Sequence, residues 1–371
     1  MLGSLVFGEW LARGNTYIVG KESRANDALA SSLAYVGCMA VLVTIAAVAW
    51  GEFLPYGQLT GPDYMFIGLL LVALVTQRAA QCILLGQDRQ LSFAVIPLVL
   101  AAIYLVGAAT ALLLYESRLS GVLIAWSAAA MISALVAILM VDGVPKGRPS
   151  AGLLRRMALV GGRGAVSTTL IFLLFRSDVF LVAALLGKPT LGVYLISVAI
   201  AEMMQRFPNL AGVVLLPKVL AGKDDDHVVS LAVARRVLFG SALIAVGIIV
   251  IGHVPVGAST VGEAVIGLVF GPEFPGAFVP LVLMLPGLVA CGFGSILNTK
   301  LAGEGYPPIT IWAPAAALLT NVILNLVLIP LWGLEGTAIS TSVAYILWSA
   351  LVTIDFQRRT AVSWRQFIQG N

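Results

Sequence analysis

The sequence predicts an all-α polytopic membrane protein, a two-lobed helical bundle of parallel six-helix repeats with about eleven transmembrane helices present. Three observations carry this. Of 371 residues, 60% are hydrophobic and 11% charged, too apolar a balance for a soluble fold. Apolar stretches recur at the length of a bilayer crossing, about 20 residues. Motifs in the first part of the chain return in the same order near 216 residues later.

Taken in order, spans are expected near 2–20, 29–50, 64–85, 91–115, 120–141, 160–187, 191–217, 230–252, 277–300, 308–331 and 334–356. The first holds Glu9 and Arg13 and runs directly into Tyr17-Ile18-Val19, so it reads as part of the bundle and not as a cleaved leader. Gly187-Lys188-Pro189 and Leu331-Trp332-Gly333 mark short connections, because Gly and Pro end helical segments. Pro286 and Pro314 fall inside helices and are expected to kink them. The stretch 253–276 reads as the longest outer loop, short and apolar.

Sixteen Lys/Arg collect in one set of loops and adjoining helix ends, against Arg118 and Lys188 on the other side. The richer side is therefore assigned to the cytoplasm. Eleven crossings with a cytoplasmic C-terminus put Met1 outside, so one further helix is expected before residue 1.

The repeat has four matches in one order. Glu9-x-x-x-Arg13 matches Glu202-x-x-x-Arg206 at a shorter spacing, the difference being filled by the extra stretch 253–276, and Leu84-Leu85-Gly86-Gln87 matches Leu301-Ala302-Gly303-Glu304. Gly121 falls opposite Gly336, and Ser133-Ala134-Leu135-Val136 opposite Ser349-Ala350-Leu351-Val352. The division expected is an N-terminal lobe at 1–141, a cytoplasmic linker at 142–158, a C-terminal lobe at 159–356 and a cytoplasmic tail at 357–371. Within the linker, Leu153, Leu154 and Met157 suit an amphipathic stretch on the membrane surface.

Seven charged residues fall at mid-helix depth: Glu9, Arg13, Arg78, Arg176, Asp178, Glu202 and Arg206. Facing lipid they would together cost on the order of 20 kcal/mol, so they must pair or line a polar cavity. The spacing of four puts Glu9 with Arg13, and Glu202 with Arg206, on one helical face. Each is either a structural ion pair or an arginine gripping phosphate beside a proton-accepting carboxylate. Arg176 and Asp178 are two apart and point to different faces, which favours at least one of them looking into the cavity. Arg78 has no carboxylate one turn away, so it is either a cavity cation or a side chain snorkelling to the cytoplasmic end. Asn321 and Asn325 share a helix face, as either interhelical hydrogen-bonding residues or sugar contacts. The set has four arginines and three carboxylates, a balance that mildly favours an anionic cargo.

Other chemistry is unsupported. The three cysteines, Cys38, Cys82 and Cys291, lie far apart in apolar runs and imply neither disulfides nor a metal cluster. Asp224 to Asp226 with His227 read as a solvated loop. The sequence has no Gly-Lys followed by Ser or Thr and no His-Glu-x-x-His, so no ATPase loop or zinc site is expected. No cofactor, metal or nucleic-acid partner is expected either, and no enzymatic activity.

Arg176-Ser177-Asp178-Val179-Phe180 followed by Gly187 and Gly192-Val193-Tyr194 resembles the opening of the C-terminal half of polysaccharide flippases. Phe270-Gly271-Pro272-Glu273-Phe274, Gly303-Glu304-Gly305, Asn321-x-x-x-Asn325 and Leu328-Ile329-Pro330-x-x-Gly333-x-x-Gly336-Thr337-Ala338 extend the likeness. These belong to the O-antigen and exopolysaccharide branch of the multidrug/oligosaccharidyl-lipid/polysaccharide exporter superfamily. The resemblance implies two six-helix lobes around a central cavity in a bacterial inner (plasma) membrane protein acting as a monomer. It implies flipping of undecaprenyl-pyrophosphate-linked oligosaccharide to the outer leaflet by ion-coupled alternating access, for lipopolysaccharide or exopolysaccharide synthesis. Arg13, Arg78, Arg176, Arg206, Asn321 and Asn325 are then cavity candidates, and Glu9, Asp178 and Glu202 candidates for coupling to a proton or sodium ion. A polysaccharide polymerase is the partner such a flippase would serve. Two alternatives stay open: export of drugs or of a lipid-linked peptidoglycan precursor, and a membrane glycosyltransferase or polymerase. The last would need a large catalytic outer loop.

Overall fold

The computed structural model describes residues 2–53, 61–114, 118–141, 147–224 and 227–360. The linker stretch 142–146, Asp225, Asp226 and the tail 361–371 lie outside them. The chain forms two compact units, Met1–Ala165 and Val166–Asn371.

Unit 1 contains α1 (Leu2–Glu22), α2 (Ala25–Phe53), α3 (Gly61–Gly86), α4 (Gln90–Leu114), α5 (Arg118–Met140) and the start of α6 (Ala151–Leu174). Its centre is α3. Val75, Ala79, Ile83 and Leu84 on that helix are all but fully buried against neighbours from α1, α2 and α5. Leu153 and Met157 join the same core beside Leu11 and Ile18, so the stretch expected to lie on the membrane surface is the start of α6, with its apolar face packed on protein and Arg155 and Arg156 exposed on the other. Apolar residues at that spacing suit a lipid surface and a protein core equally well, and only the neighbours decide. Polar residues hold the helices together inside the apolar bundle. The Asn15 amide donates to Ser32 Oγ at 3.0 Å and to the Ala79 carbonyl at 3.1 Å, tying α1 to α2 and α3.

Unit 2 continues α6 and adds α7 (Ser177–Leu185), α8 (Gly187–Leu220), α9 (Val228–Gly252), α10 (Val261–Phe270), α11 (Phe278–Gly303) and α12 (Ile309–Thr360). One span expected over 160–187 is two helices broken at Phe175-Arg176. The dihedrals of α12 leave the helical region at Gly333, with φ 57° and ψ −129°, where the connection Leu331-Trp332-Gly333 was expected. Pro314 lies inside the helix without such a break, and Pro286 lies within α11. The expected outer loop at 253–276 contains a hairpin, β1 (Pro255–Val256) and β2 (Ser259–Thr260), and then α10. A capping box starts that helix: Thr260 Oγ1 accepts from the Glu263 amide, and the Glu263 carboxylate accepts from the Thr260 amide. The Thr-x-x-Glu signal was present in the sequence, but the apolar run behind it is too short to read as a crossing.

The core of unit 2 lies around α11, where Leu285, Leu288, Cys291, Ile296 and Leu297 are nearly fully buried. Gly287 and Gly294 let the second half of α12 approach closely. A Cβ on either would collide with Ser342 or Ser349, and the Gly287 amide donates to Ser342 Oγ at 2.8 Å.

Eight described helical segments are long and apolar enough to cross a membrane, among them Ala151–Leu185 and the 52-residue Ile309–Thr360. A bilayer needs about 20 residues, so the latter, broken at Gly333, has length for two crossings. The 21-residue α1 and the 34-residue α8 also reach the required length but carry the deep charges.

Candidate functional site

In unit 1, Glu9 is 7% exposed and accepts from Arg13 Nε at 2.7 Å. Its other oxygen lies 3.9 Å from Arg78 Nε on α3. Arg78 also donates to Gln81 Oε1 at 3.3 Å, and Gln81 to the Phe93 carbonyl at 2.9 Å. Arg78 is therefore not unpartnered, as its sequence neighbourhood implied: its carboxylate comes from α1, more than 60 residues earlier. One buried carboxylate holds two arginines.

In unit 2, a cavity of about 510 Å³ is lined by residues of α6, α7, α8, α11 and α12. Three sets of residues give it character. Arg176 forms an ion pair with Glu202 at 2.7 Å, in place of the expected Glu202–Arg206 pair. The break before α7 turns Arg176 toward α8, where it captures the carboxylate. Arg206, exposed in the cavity, is left with no ion-pair or hydrogen-bond partner among the described residues. Gln205 and Asn209 lie on the same stretch of α8, and Tyr345 adds an aromatic wall from α12. Glu202, Gln205, Arg206 and Asn209 recur at helical spacing, so this polar stripe was legible in the sequence beyond its two charges.

Asp178 is at the cavity wall, 1% exposed, with no cation in ion-pair distance among the described residues. Three donors hold it: the Tyr194 hydroxyl at 2.6 Å, the Thr341 hydroxyl at 3.2 Å and the Val179 amide at 2.7 Å. Sequence reading missed Tyr194 and Thr341 as partners, since nothing local to either points to residue 178. Arg176 and Asp178 do diverge as their spacing required, one to an ion pair and the other to this network.

Asn321 and Asn325 are fully buried beside it. Asn321 Oδ1 accepts from Ser177 Oγ at 2.9 Å and from Asn325 Nδ2 at 3.0 Å, while Asn321 Nδ2 lies 3.5 Å from Thr341 Oγ1. Asn325 Oδ1 has no hydrogen-bond partner among the described residues. The two amides thus stitch α7 to α12 and do not line the cavity. Asp224 likewise departs from the solvated loop expected of it. It is 5% exposed, pairs with Lys300 at 2.9 Å, and accepts from the backbone and side chain of Ser230 at the start of α9. Among the described residues no cluster of His, Cys, Asp or Glu could hold a metal ion.

The fold is that of the MOP-superfamily transporters. A MATE transporter from Vibrio cholerae, VcmN, superposes with a TM-score of 0.76 at 13% identity, over 99% of this chain and 87% of that one. A multidrug resistance MATE family transporter in the outward-facing conformation gives 0.75 at 13% identity, over 97% and 85%. A MOP superfamily transporter from Pyrococcus furiosus, described as having a binding pocket of reverse polarity, gives 0.71 at 13% identity over the same shares. No curated protein sequence matches the chain significantly. The chain belongs to the family described as polysaccharide biosynthesis protein, whose sequence profile matches residues 28–277.

Proposed function

We propose that the protein flips a polyprenyl-pyrophosphate-linked oligosaccharide across the bacterial inner membrane for surface polysaccharide assembly, driven by a proton or sodium gradient. The observation that carries this reading is the unit 2 cavity with its unpaired Arg206 beside Arg176. A guanidinium stays charged and presents a fork of donors that matches phosphate oxygens. Gln205, Asn209 and Tyr345 supply amide and aromatic contacts of the kind a sugar accepts. The polyprenyl tail remains in lipid, so only the head group needs the cavity.

Asp178 is the coupling site in this reading: with it ionised, two arginines and two carboxylates leave the cavity neutral, and a proton or sodium ion there changes that balance by one charge. Glu9, Arg13 and Arg78 are assigned to a structural cluster in this reading.

The test is complementation of a strain lacking its polysaccharide flippase, scored as surface polysaccharide at matched expression. Arg176→Ala and Arg206→Ala should each lose transport, and Lys at either position should rescue in part by restoring charge without the fork. Asp178→Asn should stay folded and lose dependence on the ion gradient. Undiminished polysaccharide in the double arginine variant would overturn the assignment.

A further inference from the structure

The neighbouring face of α8 carries a second feature that the transport reading does not use. A groove of about 410 Å³ runs between the C-terminal half of α8 and the start of α9. Its walls are apolar, with Phe207, Leu210, Val214 and Val233 prominent, and the first three are 43% exposed or more. The only other character in the lining comes from Lys218 and Arg236, and no amide, hydroxyl or carboxylate side chain joins them. Neither cation has an ion-pair or hydrogen-bond partner among the described residues, and both are exposed.

Helix direction makes the two cations converge. Lys218 is in the last turn of α8, and α9 begins at Val228 after a short loop, so the helices are antiparallel. Phe207 on α8 meets Gly240 on α9, which fixes the opposite end of the groove. Side chains lean toward their own helix N-terminus, so Lys218 leans into the groove while Arg236 leans toward the Lys218 end. An apolar slot thus carries two free positive charges that lean toward one another, Lys218 at the end that the basic loops assign to the cytoplasm and Arg236 farther along the wall.

We infer that this groove binds an anionic phospholipid of the cytoplasmic leaflet, one acyl chain along Phe207, Leu210 and Val214 and the phosphate between Lys218 and Arg236. The walls recognise a chain and a phosphate but offer nothing to a sugar. If the arginines of the cavity hold the transported pyrophosphate, as proposed above, the groove cations are left for a second anion. Leu210 lines both the groove and the cavity, so a bound lipid braces the helix that carries Glu202 and Arg206.

Native mass spectrometry of the purified full chain tests this with phosphatidylglycerol and phosphatidylcholine of equal chain length. The wild type should retain phosphatidylglycerol preferentially. K218Q/R236Q should weaken that retention roughly thirtyfold, about 2 kcal/mol at about 1 kcal/mol per basic residue. V214W, which fills the slot and keeps both charges, should also weaken it, and R155Q/R163Q should not. Equal retention of the two lipids by the wild type would overturn the inference. So would an equal loss in R155Q/R163Q, which would mean diffuse surface charge. Stoichiometric displacement of the lipid by undecaprenyl pyrophosphate in R176A/R206A protein would instead give the groove to the transported substrate, and would overturn it too. Undiminished polysaccharide in the R176A/R206A variant, with lipid retention intact, would leave the groove standing by itself.

Discussion

Glu9 and Glu202 each precede an arginine by four residues on a helical face, and the two units treat that spacing in opposite ways. In unit 1 the local pair forms, and a second arginine from α3 joins it, so a nearly enclosed carboxylate is shared by two cations. In unit 2 the local pair is lost to Arg176, both partners are more than a third exposed, and Arg206 is left over. The difference shows that spacing sets only which partners are possible. Burial and a competing third charge decide which form. A carboxylate surrounded by protein and held by two arginines is fastened; one on a cavity wall with a single arginine leaves charge available to a ligand.

The largest effect should come from the fastened side. Glu9→Ala removes the carboxylate that Arg13 and Arg78 share and should cost about 2–3 kcal/mol, below the range for a fully buried ion pair because the two arginines keep contact with solvent. Thermal melting of the detergent-purified variant reads this directly. A melting temperature close to wild type would erase the contrast between the units.

Arg206→Ala should do the reverse. Having no partner to abandon, it should melt like the wild type, while transport falls between about tenfold and a hundredfold, the worth of a charge-assisted contact to phosphate. Arg13→Ala, made in parallel, should lose stability before transport.

How much of this was legible varies by scale. Composition and apolar length foretold the all-α membrane architecture, because crossing a bilayer imposes a minimum run on every helix. The seven deep charges were legible too, since polar residues inside such runs stand out. Their pairings were not. Arg78 meets Glu9 and Arg176 meets Glu202 across helices, and Asp178 meets Tyr194 and Thr341 from 16 and 163 residues away. One-dimensional periodicity cannot order contacts between helices. The same limit hid α10, whose apolar run is shorter than a crossing, and the burial of Leu153 and Met157.

Asp224 offers an intermediate case outside the spans. Burial acts to raise its pKa, but hydrogen bonds from Ser230 and Lys300 outweigh it and hold the carboxyl below its ordinary 3.8. A lowered native pKa gives a contribution that is full at neutral pH and is lost as pH falls from 3.8 toward the native value. Asp224→Asn should remove about 1–3 kcal/mol at pH 7, the cost of leaving Lys300 without its charge partner. The gap between the two melting curves should narrow in acid. A gap independent of pH would mean that packing, not charge, holds the loop.

The smallest expected change is Glu202→Gln, less than about 1 kcal/mol in folding, because exposed pairs contribute little. Its transport phenotype should exceed its stability phenotype, the opposite of Glu9→Gln. Equal ratios in the two variants would mean that both units use the motif alike.

The close approach of α11 to the second half of α12 bears on how such a sequence drifts. Gly287 and Gly294 meet Ser342 and Ser349 with the same spacing of seven on both helices, and any larger side chain at either glycine would collide. Lipid-facing positions are under no such constraint, because acyl chains accommodate Leu, Val, Ile or Phe alike. Substitutions therefore accumulate over most of the surface while a few small-residue contacts keep the backbones in place. Two chains with 13% of residues in common can then share one fold, as this chain and VcmN do at a TM-score of 0.76. The fold of such a membrane bundle is specified less by residue identity than by the spacing of its smallest residues.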